Sequence, residues 1–299
     1  MAGKELILGL SLGASRVQAV EVDQEDGANT LLSLDEWDNT LQTNGKKSVQ
    51  GTDVFTGRLA EFIKENRVKA RKVSIAFDTS HLFLNTIPLE DGLSRTEMNE
   101  HVNWELSQYF PDTSPREFIT DMHVLTQDTK ERLSQILSVS VRRQDINTMQ
   151  DVAKKLGLTL HIIDVDHFSA DTALRINYPD TTRKFVALVG VKEKRLDISL
   201  MRNGNLESYS YAAVSSNDEI VEQIGYLSRE TPGIFSIVAY GTHLDKDLLV
   251  QIRRGASLLV EALNPLRHVK VSEELSLSGH ISGPSYRYSS AVGVALRRD

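Results

Sequence analysis

The sequence predicts an α/β fold built as two similarly organised halves. Three observations predict it. A meander of apolar, strand-like runs with short connections starts at Leu6, and a second starts at Phe185. Each meander is followed by a helical pattern and then a further strand, although no sequence repeat relates the halves. The chain of 299 residues is 40% hydrophobic and 25% charged, which suits a globular protein with a sizeable core. Two such lobes are an arrangement suited to clamping a ligand between them.

The elements follow in order. Lys4 to Leu12, Val17 to Val22 and Thr30 to Trp37 read as an antiparallel meander. Asp38 to Thr52 is polar and rich in Gly and Asn, a loop. Asp53 to Asn66 places Val54, Leu59, Phe62 and Ile63 at helical spacing, with Asp53 as its N-cap. Lys72 to Phe77 is strand-like, and His81 to Pro88 is extended. Ser94-Arg95-Thr96-Glu97 is a capping-box pattern opening a helix to Tyr109, which Pro111 ends. Val102, Leu106, Tyr109 and Phe110 form its apolar side. Phe118 to Thr126 and Arg132 to Arg142 read as strands, and Gln144 to Leu156 as a helix stopped by Gly157. Leu158 to Val165 is a strand and His167 to Ile176 a helix.

The second half repeats the theme. Phe185 to Gly190, Leu196 to Arg202 and Leu206 to Ala212 make the second meander, with Asn203-Gly204 supplying the positive φ angles of a tight hairpin. Asn217 to Glu230 is a helix, Phe235 to Tyr240 a buried strand, and Lys246 to Arg253 a further helix. Ser289 to Arg298, with Ala291, Gly293 and Ala295, suits a helix that packs closely through small residues.

Composition narrows function. The net charge of −7 disfavours nonspecific binding to nucleic acid or an anionic membrane. The absence of cysteine excludes disulfides and thiolate zinc sites. The first residues lack the long apolar stretch of a signal peptide, and no apolar run reaches the roughly 18 residues of a membrane-spanning helix. Any membrane role is therefore expected to be peripheral, through a partner and without direct insertion.

Two motifs compete at the amino-terminal end. Gly9-Leu10-Ser11-Leu12-Gly13 fits the G-x-S-x-G pattern of a nucleophile elbow, with His268 and His280 in the order a triad would need. An elbow requires strand, sharp turn, then helix. "RVQAVEV" reads as strand instead, which favours a glycine-containing hairpin. His161 and His167 flank Asp164 and Asp166, but strand alternation separates these groups, so no metal site is expected. Trp104-Glu105 reads as part of a packed amphipathic helix, with a peptide-binding subdomain as the functional alternative.

Across essentially its whole length the chain resembles the PilM family of actin-like proteins of type IV pilus assembly, and more distantly the cell-division protein FtsA. "LGLSLGASRVQAVEV" resembles the family's first phosphate hairpin, and "FLNTIPLEDGLSRTEMNEHVNWELSQYFP" its inserted subdomain. "GLTLHIIDVDHFSADTAL" is similar to the strand and helix returning to the core. "FVALVGVKEKRLDISLMRNGNLE" resembles the second phosphate hairpin, "IVAYGTHL" the adenosine loop, and "ALNPLRHVKV" with "SSAVGVALRRD" the closing segments.

This resemblance implies an actin-like ATPase (ribonuclease H-like) α/β fold of two lobes. Residues 1–80, with 165–184 and 286–299 returning, would form the first core subdomain, 81–164 an inserted subdomain and 185–285 the second lobe. The vestigial nucleotide site would comprise Gly9, Ser11, Gly13, Gln18, Asp166, Gly190, Lys192, Tyr240 and Gly241. Ser11 stands where nucleotide-binding relatives carry an aspartate, Gln18 where they carry a lysine. Gly190 takes the second aspartate's place, Lys192 that of a glycine, and Tyr240 that of the first glycine of a pair. Asp166 falls where active relatives orient the attacking water.

Those carboxylates would hold hydrated magnesium between phosphates, and phosphoryl transfer depends on such positioning. Their loss implies a non-catalytic scaffold with no cofactor, the alternative being a member that binds or hydrolyses ATP with magnesium through substitute residues. Lys192 and Lys194 are expected to solvate a turn; neutralising phosphate is the other reading. A side chain at Tyr240 would intrude where backbone approaches the base. The resemblance further implies a cytoplasmic protein held at the inner membrane. Its partner would be the cytoplasmic N-terminal segment of a PilN-like inner-membrane protein, gripped between the first core subdomain and the insertion. Other pilus or secretion platform components would be further partners.

Overall fold

The computed structural model describes residues 5–25, 27–41, 51–128, 133–278 and 283–298. The first meander is antiparallel: β1 (Glu5–Leu12), β2 (Arg16–Glu25) and β3 (Ala28–Asp38) pair in sequence. β4 (Lys72–Phe77) lies parallel to β1, and β8 (Thr159–Val165) parallel to β4. The second meander is β9 (Phe185–Val191), β10 (Arg195–Arg202) and β11 (Asn205–Ala213), with β12 (Ser236–Tyr240) parallel to β9 and β13 (Leu259–Ala262) parallel to β12. The strand orders β3-β2-β1-β4-β8 and β11-β10-β9-β12-β13 are therefore the same plan twice. The duplication expected from two meanders is present in topology.

Helices cover both faces of each sheet. α1 (Thr52–Glu65) and α3 (Arg143–Lys155) place Phe55, Leu59, Phe62, Met149 and Val152 against Leu8, Leu10 and Val17. The other face of the first sheet meets α9 (Ser289–Leu296), through Ile7, Val20 and Val22 against Ala291, Val292 and Ala295. The second sheet packs on α6 (Asn217–Glu230), α7 (Lys246–Gly255) and α4 (Asp166–Asn177) in one apolar cluster, which leaves every residue of β9 buried. α4 and α9 thus form the layer shared by both lobes. They approach closely because their facing residues are small: a Cβ added at Gly293 would lie 1.7 Å from the Ser169 carbonyl oxygen. The close small-residue packing expected of Ser289 to Arg298 is what the structure shows.

The insertion is smaller than expected. β5 (Phe83–Glu90), β7 (Leu133–Arg142) and β6 (Phe118–Asp128) make a three-stranded antiparallel sheet in the order β5-β7-β6. α2 (Arg95–Tyr109) packs on it through Val102 and Leu106, opened by the capping box at Ser94. Tyr109 is largely exposed, though its ring meets Phe83. The expected insertion of 81–164 is corrected to 83–142. α3 buries its apolar face on the first lobe, and β8 pairs with β4. The second lobe is likewise shorter than 185–285, since β14 (Val269–Val271) pairs with β3.

Local expectations met local chemistry. Asn203 and Gly204 take φ of 51° and 79° in the β10–β11 turn, and Gly157 ends α3 at φ 69°. Asp53 does not cap α1. Gly51 precedes that helix in the left-handed region, and Asp53 sits in its first turn. The loop reading for Asp38 to Thr52 falls partly on 42–50, outside the described residues. The short α5 (Pro179–Thr182) and α8 (Glu273–Ser278) complete the element order.

Gly293→Val forces a branched side chain into the α4–α9 contact. Overpacking of this kind costs about 1–3 kcal/mol or more. Urea unfolding of this variant is expected to show an unfolding free energy reduced by at least that much, with native secondary structure in dilute buffer.

Candidate functional site

The cleft between the lobes is built from four chain segments. β4 ends at Phe77, and Asp78 caps the turn at residues 79–81 by accepting the Ser80 N–H at 2.8 Å. β8 delivers Asp166 to the first turn of α4. From the other lobe, the β9–β10 turn contributes Lys192, and β10 contributes Asp197, directly opposite Gly190 in register. The Lys192 ammonium lies 2.8 Å from Asp166 Oδ2, 2.9 Å from Asp197 Oδ2 and 3.3 Å from Asp78 Oδ2. It also donates to Thr79 Oγ1 at 2.5 Å, and Thr79 in turn donates to Asp197 Oδ2 at 2.7 Å. The Thr79 N–H donates to Asp166 Oδ1 at 3.2 Å.

Further partners fix Asp197, which has no exposed surface. Its Oδ1 accepts from Arg195 Nε and from the Tyr209 hydroxyl, both at 2.7 Å. The Arg195 guanidinium also donates to the Tyr209 oxygen at 2.8 Å and stacks over the Tyr211 ring. Beneath the cluster, His167 is fully buried between the Tyr240 hydroxyl at Nδ1, 2.9 Å, and the Ser199 hydroxyl at Nε2, 2.8 Å.

The charges do not cancel. Three carboxylates face two cations, Lys192 and Arg195, a surplus of one negative charge. The structure resolves this at Asp166. Burial raises its pKa and Asp78 and Asp197 add to the rise; Lys192 opposes them, and the balance stands at about 7. Burial also works against ionisation of Asp78 and Asp197, but Lys192 and the surrounding donors hold both below the usual carboxylate range. Burial pushes Lys192 down while the three carboxylates hold it well above the ordinary lysine value. Desolvation drives His167 down to about 4, so its ring is neutral.

The residues singled out by sequence divide sharply. Asp166, Lys192, Gly190 and Tyr240 meet in this cluster. Lys192 corrects the expectation of a solvated turn: its side chain is only 13% exposed, whereas Lys194 is exposed. Tyr240 is corrected too. Its ring does not reach toward a base but turns inward to His167, and is buried. Gly241, at φ 131°, passes so close to Val191 that a Cβ would lie 2.2 Å from that carbonyl oxygen. Ser11 and Gln18 pair in register, but Gln18 donates to Glu36, itself held by Arg287. Gly13 opens the β1–β2 turn, directly after β1. Gly9 faces α9, where a Cβ would meet the Ala291 oxygen at 2.4 Å, so its role is helix packing.

The nucleophile elbow is absent, because the chain turns from β1 into antiparallel β2 rather than into a helix. His268 is exposed, and His280 lies outside the described residues. His167 bonds the Tyr240 and Ser199 hydroxyls rather than Asp164 or Asp166, and Asp164 accepts from Ser169. Asp78, Thr79, Asp197 and His167 were missed as cleft residues. The one legible signal was Asp197, a lone acid inside the apolar strand "RLDISL".

A concavity runs beside α4. It is a groove of about 750 Å³ between the inserted sheet and the first lobe. Ile119, Leu137 and Val139 line it from the insertion, and Phe77, Ile163 and Phe168 from the core. Asp171 and Arg175 of α4, with the tip of the β10–β11 hairpin, close one side.

Two lobes of one plan, enclosing a cleft where acids from one lobe meet a lysine and an acid from the other, define an actin-like ATPase fold. Residues 9–225 match the family described as type IV pilus assembly protein PilM, and the chain belongs to that family. Among solved structures it is similar to the PilM-PilN type IV pilus biogenesis complex, at 19% identity and TM-score 0.77, covering 97% of each chain. It also resembles a Bacteroides thetaiotaomicron protein of actin-like ATPase fold and unknown function, at 14% identity and TM-score 0.53, over 87% of this chain and 91% of that one. A third likeness is to the cytoplasmic domain of EpsL, an inner-membrane component of the Vibrio cholerae type II secretion system. There the identity is 12% and the TM-score 0.52, over 95% of this chain and all of the other.

His167 and Asp166 should pull stability in opposite directions. His167 takes up a proton only in the unfolded chain between pH 4 and 6.5, so its contribution is full above pH 6.5 and lost as pH falls. Asp166 holds its proton in the folded chain up to about pH 7, so its contribution is full below pH 3.8 and lost as pH rises. Against the native chain, Asp166→Asn is expected to gain stability with rising pH, and His167→Asn to lose it. Each should differ from native by up to about 1.4 kcal/mol per pH unit between pH 4.5 and 6.5. Denaturant unfolding across that range reads the slopes.

Proposed function

We propose that this protein is a non-catalytic actin-like scaffold of a type IV pilus or related secretion machine. In this reading it grips the short cytoplasmic N-terminal segment of a PilN-like inner-membrane protein in the groove between the first lobe and the insertion. The observation that carries the binding half is the groove itself. It offers an apolar floor flanked by charged walls, which suits an extended segment with apolar side chains and a polar backbone. Its whole-length likeness to the PilM-PilN complex supports the same reading. The chain would then sit at the inner membrane through that partner, and no helix among the described residues is long and apolar enough to cross a membrane.

The non-catalytic half is supported by how the cleft is filled. A nucleotide with magnesium needs carboxylates free to organise the metal's waters. Here Asp78, Asp166 and Asp197 are committed to Lys192. An acid at position 190 has no room either, since even a Cβ there would lie 2.8 Å from the Tyr240 hydroxyl oxygen and 3.2 Å from His167 Nδ1. Magnesium and nucleotide do not fit these residues. One observation favours the other reading, an ATP-binding member with substituted loops: Asp197, opposite Gly190, still points an acid at the cleft.

A fluorescent peptide copying the PilN-like N-terminus tests the first half. Saturable binding by the native chain, weakened at least tenfold by Ile119→Asp, is expected; absence of binding overturns it. Calorimetric titration with ATP and magnesium tests the second. No saturable heat and no phosphate release are expected, whereas magnesium-dependent binding with turnover establishes the alternative.

A further inference from the structure

We propose that Lys192 is a tethered cation occupying an oxygen cage of the kind a divalent ion uses, and that it holds the two lobes together without any ligand. This rests on the non-catalytic reading of the cleft. Four oxygens from three separate segments surround the ammonium: Asp78 Oδ2, Thr79 Oγ1, Asp166 Oδ2 and Asp197 Oδ2, at 2.5 to 3.3 Å. An ammonium has three protons to donate, so it is met by more acceptors than it can bond individually. An all-oxygen, carboxylate-rich shell is the environment that hard divalent cations select. No other described lysine is placed against three carboxylates.

The cage spans the lobes. Asp78, Thr79 and Asp166 belong to the first, Lys192 and Asp197 to the second, and the Thr79–Asp197 hydrogen bond crosses with the lysine. Closure therefore depends on a positive charge at this point, and the chain supplies it covalently from the β9–β10 turn. With Lys192 removed, the three carboxylates would face Arg195 alone. Without the lysine Asp166 keeps its proton, and a divalent ion at this point is the charge that would let all three acids ionise together. In the native chain the Lys192 ammonium fills that position.

The test is Lys192→Ala, followed by thermal unfolding and small-angle scattering without nucleotide. Removing one partner of a buried ion network is expected to lower the melting temperature by about 10 °C and to enlarge the radius of gyration. Millimolar Mn²⁺ or Mg²⁺ should restore at least half of the lost melting temperature, saturably, and contract the variant. Potassium chloride at matched ionic strength should not, which separates binding from screening. The native chain should respond to neither metal, and Lys192→Arg should stay closed without metal.

Three outcomes overturn the proposal: K192A as stable and compact as native, K192A destabilised but indifferent to metal, or a native chain that metal stabilises equally. If K192A is recovered only unfolded, refolding with and without Mn²⁺ decides. Recovery with metal alone supports the cage, and failure in both overturns it. None of these outcomes bears on ATP binding by the native chain, so the lock and the non-catalytic reading fail separately.

Discussion

A buried ammonium held by three carboxylates is the constraint around which this structure is arranged. Taking a charge out of water costs several kcal/mol per ion, and only close, well-directed partners offset that. Lys192 finds them on both lobes, so the distance between lobes is fixed at hydrogen-bond precision. The partners are fixed in turn. Asp78 is tied to the turn at residues 79–81, Asp166 to the start of α4, and Asp197 to Arg195 and Tyr209. Losing Lys192 would strand the carboxylates around it, whereas losing one carboxylate would relieve the surplus of negative charge.

The same helix that carries Asp166 connects this cluster to the groove. Asp166 and His167 stand at the amino-terminal end of α4, while Phe168, Asp171, Thr172 and Arg175 line the groove along its length. α4 cannot move independently of α9, because Gly293 lets the two backbones approach within direct contact. α9 in turn packs on β1 and β2. A rigid central layer thus joins the filled cleft to the open groove. On the proposed reading, a locked cleft would give the groove a constant shape, which is what a binding surface needs if its occupant alone is to decide affinity.

What the sequence made legible follows from where information is local. The Ser94 capping box, the Asn203-Gly204 hairpin and the Gly157 stop each depend on a few neighbouring residues, and each formed as read. The duplicated meander was legible because strand alternation and short connections carry it. Lys192 was misread because a turn lysine is ordinarily solvated; its partners at 78, 166 and 197 are distant in sequence and only topology assembles them. Gly9 was misread for the same reason, as its partner Ala291 lies at the far end of the chain. The insertion's boundary failed because α3 reads as a helix either way, and only packing shows that it faces the first lobe.

The substitutions in the cleft make sense together and not singly. Gly190 lacks a side chain, and Tyr240 places its hydroxyl where that side chain would begin. That hydroxyl bonds His167, whose other nitrogen bonds Ser199, two residues beyond Asp197 on the same face of β10. Asp197 is held by Lys192 of the β9–β10 turn. Restoring an aspartate at 190 alone would drive it into Tyr240 and add a fourth acid to a cluster already carrying surplus negative charge. Removing Tyr240 alone would leave His167 without a partner at one buried nitrogen, at the cost of an unsatisfied polar group. These positions therefore form one set of mutually dependent interactions, and the ion pairs and hydrogen bonds among them cross from one lobe to the other.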